Sequence, residues 1–315
     1  MASITLKQLR YFDALSRHRH FGRAAESCAI SQPALSVQIR ELENELGAKL
    51  FERAARQVSL TGFGEQFAGR VSDILKSVDE LEDLARAASD QLVGRLRLGI
   101  IPTIAPYLLP LVIERISAQH SDLDLHVRES LTSRLIEELS EGRLDAAVVA
   151  LPVSEPSFTE VALFSEEFVL VRPMSASAEP VPSVENLRNV RLLLLEEGHC
   201  FREQAMSFCN MPTTLSRDGL DASSLSTLVQ MVGSGIGMTL IPEMAVPVET
   251  RSAPVTISRF KGKAPSRTVG MIWRKSNPLS KQLLEVSTAV RSAGAVVTGL
   301  FESEEESPSL PIGGS

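Results

Sequence analysis

The chain has 315 residues, 43% hydrophobic and 23% charged, an ordinary globular composition that is too long for one typical domain and suits two or three. No apolar run reaches the roughly 18 residues of a membrane span, and the first ten residues lack the long apolar core of a secretion signal, so a cytoplasmic protein with no membrane association is expected. The net charge of −7 is uneven: residues 1–61 carry nine Lys/Arg and six Asp/Glu, the remainder 23 and 33, so a small basic head sits on a larger acidic body. With 5% aromatic residues and a single tryptophan, Trp273, the core must be mostly aliphatic.

In chain order, residues 4–19 read as a helix with Leu6, Leu9, Phe12, Ala14 and Leu15 on roughly one face. A short helix is expected over 22–28, with a break at Ala29 and Ile30. Ser31 is a natural N-cap for the next helix, and Pro33 lies in its first turn, where the missing N–H costs nothing. That helix carries Ala34, Leu35, Val37, Ile39 and Leu42, with Gly47 as its C-cap. Residues 50–61 read as a small wing. These elements form a winged helix-turn-helix, residues 1–61. Its second helix would present Gln32, Ser36, Gln38 and Arg40, with Ser31, Pro33 and Ala34 at its start, to base edges and phosphates of double-stranded DNA. Arg23 on the preceding helix would hold a phosphate. A structural helical hairpin with a polar face is the alternative that the motif alone leaves open.

Residues 64–93 contain no proline, and Phe67, Val71, Ile74, Val78, Leu81, Ala85 and Ala88 recur at alternating spacings of four and three. That is a coiled-coil seam, read as a dimerising linker helix over 62–93. Beyond Gly94, expected strands at 95–101, 123–128, 145–151, 160–172, 191–195, 238–241 and 268–274 alternate with expected helices at 106–119, 133–141, 225–233 and 279–291. The alternation implies parallel α/β sheets, two of them with a cleft between. Gly233, Gly235 and Gly237 follow a helix and precede a strand, the reverse of a dinucleotide site, and read as a helix stop. No Ser-His-Asp arrangement and no metal–carboxylate cluster stands out, so neither an enzyme nor a cofactor or metal is expected. The acidic, Pro- and Gly-rich tail, 302–315, is expected to be disordered.

The run His20-Phe21-Gly22-Arg23-Ala24-Ala25-Glu26, then Ser31 to Ser36 and Ile39 to Glu43, closely resembles the LysR-type transcriptional regulators. Leu46-Gly47, Leu50 to Arg53, Leu60-Thr61 and Gly64 extend the match into the wing. The resemblance covers almost the whole chain. It implies a two-lobed effector domain like a periplasmic binding protein over 94–301, with lobe I at about 94–165 and 268–301 and lobe II at about 166–267. It also implies a homodimer, a homotetramer on promoter DNA, and contact with RNA polymerase.

Gly99 to Thr103, Pro106 to Pro110, Glu197 to Cys200, Gln204 to Met206, Phe208-Cys209 and Arg267 to Gly270 are similar to the hydrogen-peroxide-sensing members of that family. This likeness implies a reversible disulfide between Cys200 and Cys209, re-reduced by a glutaredoxin- or thioredoxin-type partner. It also implies that Thr103 and Thr132 hold peroxide and that His199 and Arg267 activate the thiolate. Thr103 and Thr132 follow strand ends, where α/β sheets bind ligands, and either could equally cap the helix it precedes. Residues 201–208 are good helix formers without Pro or Gly. If they are helical, nine residues at ~1.5 Å rise keep the two Cα atoms ~13 Å apart. A disulfide needs about 7 Å, so oxidation is expected to refold residues 200–220. Cys28 is expected simply to pack. Two other readings remain: a LysR-type regulator with a small organic or anionic co-inducer, and a solute-binding protein.

Overall fold

The computed structural model describes residues 4–54, 57–88, 92–209, 221–260 and 264–299. The expectations for the 302–315 tail and for 210–220 lie outside these residues. The chain divides into two compact units, Met1–Ala85 and Arg86–Ser315.

In the first unit, α1 (Leu6–His18), α2 (Phe21–Ser27) and α3 (Gln32–Leu46) pack around Phe12, Leu15, Leu35, Ile39 and Leu42. Thr5 and Gln8 form a capping box at the start of α1. Ser31 caps α3 by accepting from the Ala34 N–H at 3.3 Å. Gly47 ends α3 in the left-handed region at φ 64°, where a Cβ would be strained. Strands β1 (Phe51–Ala54) and β2 (Gln57–Leu60) pair antiparallel as the wing.

The helix α4 (Gly62–Ala87) starts at 62, as expected, and stops short of 93. Its heptad seam divides. Phe67 lies edge-on to Phe12 at 5.0 Å between ring centroids, and Val71 is 1% exposed, so both belong to the unit's own core and not to a partner-facing seam. Val78 is half-buried, whereas Ile74 and Leu81 are 45% and 67% exposed, as is Leu84 one turn on.

The second unit opens with β3 (Gly94–Ile100), α5 (Ala105–Gln119), β4 (Leu123–Glu129), α6 (Thr132–Ser140) and β5 (Ala146–Leu151), with β3 parallel to both β4 and β5. The remaining strands do not continue that pattern. β6 (Phe158–Pro173) is one 16-residue strand that serves two sheets. Its first half pairs antiparallel with β11 (Ser266–Arg274), which pairs antiparallel with β5. Its second half pairs antiparallel with β9 (Thr239–Pro242) and β10 (Val255–Ser258). The first of these sheets is therefore mixed and the second antiparallel, and neither is wholly parallel.

After β6 the unit adds the short parallel pair β7 (Leu194–Leu195) and β8 (Asp221–Ala222), with α7 (Cys200–Phe208), α8 (Leu225–Gly233) and α9 (Val246–Glu249). The glycine-rich turn ends α8, with Gly235 at φ 78°. The closing α10 (Ser280–Val297) returns against α5. Residues 265–267 return beside β6 at Glu166 to Phe168, with the Phe168 N–H donating to the Pro265 carbonyl at 2.7 Å. A continuous aliphatic core with Trp273 fully buried runs through the unit. No helix among the described residues is long and apolar enough to cross a membrane.

Candidate functional sites

In the helix-turn-helix, α3 turns Leu35, Ile39 and Leu42 inward and leaves Ser31, Gln32, Pro33, Ala34 and Arg40 exposed, with Ser36 and Gln38 half-buried. Arg23 is exposed on α2. The Ser31 hydroxyl is already engaged as a cap, and Gln38 donates to Glu41 at 2.7 Å. Sequence reasoning missed Glu43. This buried carboxylate accepts from Lys49 Nζ at 2.9 Å and from the N–H groups of Leu50 and Phe51 at 3.0 and 3.3 Å. Burial alone would raise its pKa, but these hydrogen bonds outweigh burial and hold it below the usual carboxylate range. Glu43 thereby ties the wing to α3.

The second site lies at the C-terminal ends of the parallel strands β3, β4 and β5, where helix N-termini and loops converge. Cys200 is the first residue of α7, half-buried, and lines a cavity of about 730 Å³ together with Thr132, Gln204 and Phe208. Neither threonine is a helix cap. The N-cap positions of α5 and α6 fall to Ile104 and Leu131, without side-chain hydrogen bonds. Thr132 Oγ1 is instead buried with no hydrogen-bond partner, and so is Gln204 Oε1 on α7, a residue the sequence had marked only as part of a match. Unpaired buried oxygens are costly to the fold.

Thr103 and His199 line a separate, smaller cavity of about 330 Å³, so the four expected peroxide-site residues do not converge on one chamber. Arg267 does not hydrogen-bond Cys200. Its Nε donates to Glu166 Oε1 at 2.7 Å, its Nη1 to Thr103 Oγ1 at 2.7 Å and its Nη2 to the Thr103 carbonyl at 3.0 Å. The pair is sealed, with side chains 0% and 1% exposed. The guanidinium also sits 5.9 Å from the ring of Phe201, the neighbour of Cys200. The Met244 N–H donates to the other oxygen of Glu166 at 3.3 Å, so each oxygen of the carboxylate is held.

Burial lowers the pKa of His199, and Glu196 offsets this only in part. The ring is therefore neutral at neutral pH. It can exchange hydrogen bonds, and its burial disfavours the charged form. Burial pushes the Cys209 thiol up to about 11, and this thiol is 2% exposed. All three cysteines are free, and Cys28 is half-buried against the helix-turn-helix core. No metal-competent cluster of His, Cys, Asp or Glu occurs among the described residues.

Two family descriptions match the chain: the "LysR substrate binding domain" over residues 89–295, and the "bacterial regulatory helix-turn-helix protein, lysR family" over residues 6–65. The chain is 41% identical to a "probable hydrogen peroxide-inducible genes activator" of Streptomyces viridosporus, over 92% of this chain and 94% of that protein. Its fold is similar to a full-length OxyR variant from Pseudomonas aeruginosa, at a TM-score of 0.71 and 36% identity over 91% of this chain and 95% of that one. It is also similar to a hydrogen-peroxide-bound OxyR mutant from Corynebacterium glutamicum, at a TM-score of 0.65 and 32% identity over 98% of both chains.

Proposed function

The chain belongs to the LysR family of transcriptional regulators, in the branch of the hydrogen peroxide-inducible genes activators, and from that membership we propose that it is a peroxide-responsive activator switched by a reversible Cys200–Cys209 disulfide. The family is one of DNA-binding regulators and not of enzymes. The observation that carries the reading is the placement of Cys200. It stands at the head of α7, lining a cavity whose walls also include Thr132 and Gln204, with Cys209 at the far end of the same helix.

The chemistry follows from that placement. The Cys200 sulfur attacks one peroxide oxygen; the S–O bond forms as the O–O bond breaks, the sulfur is oxidised by two electrons, and the displaced oxygen takes up a proton to leave as water. Thr132 Oγ1 can donate to the peroxide and Gln204 Oε1 can accept from it. The resulting sulfenic acid condenses with the Cys209 thiol, forming the S–S bond and releasing a second water. Buried at the helix end, Cys209 cannot reach the sulfenic acid until α7 opens.

On the DNA side, the exposed face of α3, with Gln32, Ser36 and Arg40, enters the major groove, and Arg23 rests on a phosphate. Ile74, Val78 and Leu81 of α4 pair with a second copy, and dimers pair into tetramers on promoter DNA. Opening of α7 resets the spacing of the DNA-binding pairs and their contact with RNA polymerase, and a cytoplasmic glutaredoxin- or thioredoxin-type protein restores the thiols. Peptide mass spectrometry of the full-length protein after about one equivalent of peroxide tests the reading. A Cys200–Cys209 cross-linked peptide is expected; stable sulfenic or sulfonic acid on Cys200 with Cys209 untouched removes the disulfide from the mechanism.

A further inference from the structure

The helix α3 makes its core contacts on one side. Leu35, Ile39 and Leu42 are all but fully buried. At about 100° per residue they lie about 160°, 200° and 140° around the helix from Val37. Val37 therefore stands on the side of α3 opposite the unit's core, and it is 41% exposed. The sequence groups it with the apolar positions of the helix; the fold separates it from them. A single exposed aliphatic side chain is ordinary on a protein surface. This one is set apart by its place. It is the sixth residue of α3, in the N-terminal half that a recognition helix turns to base edges.

Pro33, one turn earlier, and Ala34 are exposed on the same side, so the outward crest of the helix is apolar from 33 to 37. The polar groups flank it: Arg40 Nε folds back onto the Ser36 carbonyl at 3.2 Å, and Gln38 donates to Glu41 at 2.7 Å. The Val37 side chain has no nitrogen or oxygen and cannot hydrogen-bond a base. The major-groove edges of the four bases offer donors, acceptors and one apolar group, the C5-methyl of thymine. Valine pressed against an adenine, guanine or cytosine edge would strip water from polar atoms and give no partner in return. Against the thymine methyl it takes apolar surface out of water on both sides.

We propose that Val37 is a specificity-determining residue of the DNA site and reads a thymine through its C5-methyl group, once in each half-site. The proposal rests on the reading of α3 as the helix that enters the major groove, and it names the base group recognised there.

The test selects duplexes from a randomised library with the full-length protein. In an enriched duplex, each thymine is then replaced singly by deoxyuridine, which pairs as thymine does and lacks only the methyl group. Wild-type affinity is expected to fall about fourfold at one thymine of each half-site, the effect of one methyl group left without its contact. Val37→Ala and Val37→Ser are each expected to bind the thymine duplex about fourfold more weakly and to ignore the deoxyuridine replacement at that same position. Val37→Ile, which keeps the apolar bulk, is expected to retain the sensitivity. Thermal melts show which variants fold, and with two truncating variants one that fails to fold leaves the other to decide. A wild type that binds the enriched duplex but tolerates deoxyuridine at every thymine overturns this inference alone. A sensitive thymine that stays equally sensitive in the folded Val37→Ala or Val37→Ser protein overturns it too, since Ala34 or another group then reads the methyl. Failure of the full-length protein to enrich any duplex defeats the underlying reading of α3.

Discussion

Cys200 is the first residue of α7 and Cys209 the residue just beyond its last, so one nine-residue helix holds the two thiols apart. At ~1.5 Å per residue their Cα atoms are ~13 Å distant and their side chains lie on about opposite faces. A disulfide requires Cα atoms within about 7 Å. Bond formation therefore requires α7 to unwind, and hydrogen exchange should read this directly. Amides of 201–208 are expected to be protected in the reduced protein and to lose protection once the cross-link forms. Cys209→Ser should keep them protected after peroxide treatment. A cross-linked protein with α7 still protected would sink the refolding mechanism.

The buried Cys209 thiol gives a pH dependence with a definite sign. Its pKa is raised by burial to about 11, from an ordinary 9.0. Above about pH 9 the unfolded chain gives up this proton while the native state keeps it. The unfolded state then binds fewer protons, and stability falls as pH rises through about 11, by at most about 1.4 kcal/mol per pH unit. Denaturant melts across this window should show the wild type losing more stability than Cys209→Ala. Parallel curves would show that the thiol is not held protonated by the fold.

What the sequence revealed follows the range of the interactions involved. The Ser31 cap, Pro33 in the first turn and the left-handed Gly47 are local signals, and they delimit α3 closely. The helix formers of 201–208 likewise announced α7. Pairing is non-local: nothing in the run of β6 tells that its two halves serve different sheets, or that Arg267 stands opposite Glu166 and reaches Thr103, 164 residues away. The heptad pattern of α4 looks the same whether a residue faces its own core or a second chain, and Phe67 and Val71 were already taken by Phe12 and its neighbours. The threonine caps failed by a single residue, because Ile104 and Leu131 hold the cap positions.

Arg267 and Glu166 face each other across β11 and β6, with both side chains sealed from water. Removing one partner strands a buried charge, so Glu166→Gln should destabilise the effector unit by about 3–5 kcal/mol, whereas the paired change to Met at both positions should be near neutral or stabilising. Chemical denaturation of the three proteins is the measurement. A cost from the double change equal to that of the single one would mean that the ion pair, and not the stranded charge, supplies the stability. Peroxide reactivity should fall in the double variant even where stability is kept, since Thr103 loses both hydrogen bonds from the guanidinium.

Thr132 offers the opposite trade. Its hydroxyl oxygen is buried without a partner, and the residue lines the same large cavity as Cys200. An unsatisfied buried hydroxyl weakens the fold, so the isosteric Thr132→Val should leave stability unchanged or raise it by about 1 kcal/mol. On the role proposed for Thr132 at the peroxide, the same change also removes a hydrogen-bond donor to the displaced oxygen. Loss of one such hydrogen bond, worth about 1.4 kcal/mol, corresponds to about tenfold in rate. The expected result is a protein at least as stable as the wild type that forms the Cys200–Cys209 cross-link about tenfold more slowly. Stopped-flow oxidation and thermal melts on the same preparation separate the two effects. A Thr132→Val protein that melts earlier would mean that the hydroxyl has a structural partner, and one that reacts at the wild-type rate would remove Thr132 from the oxidation step.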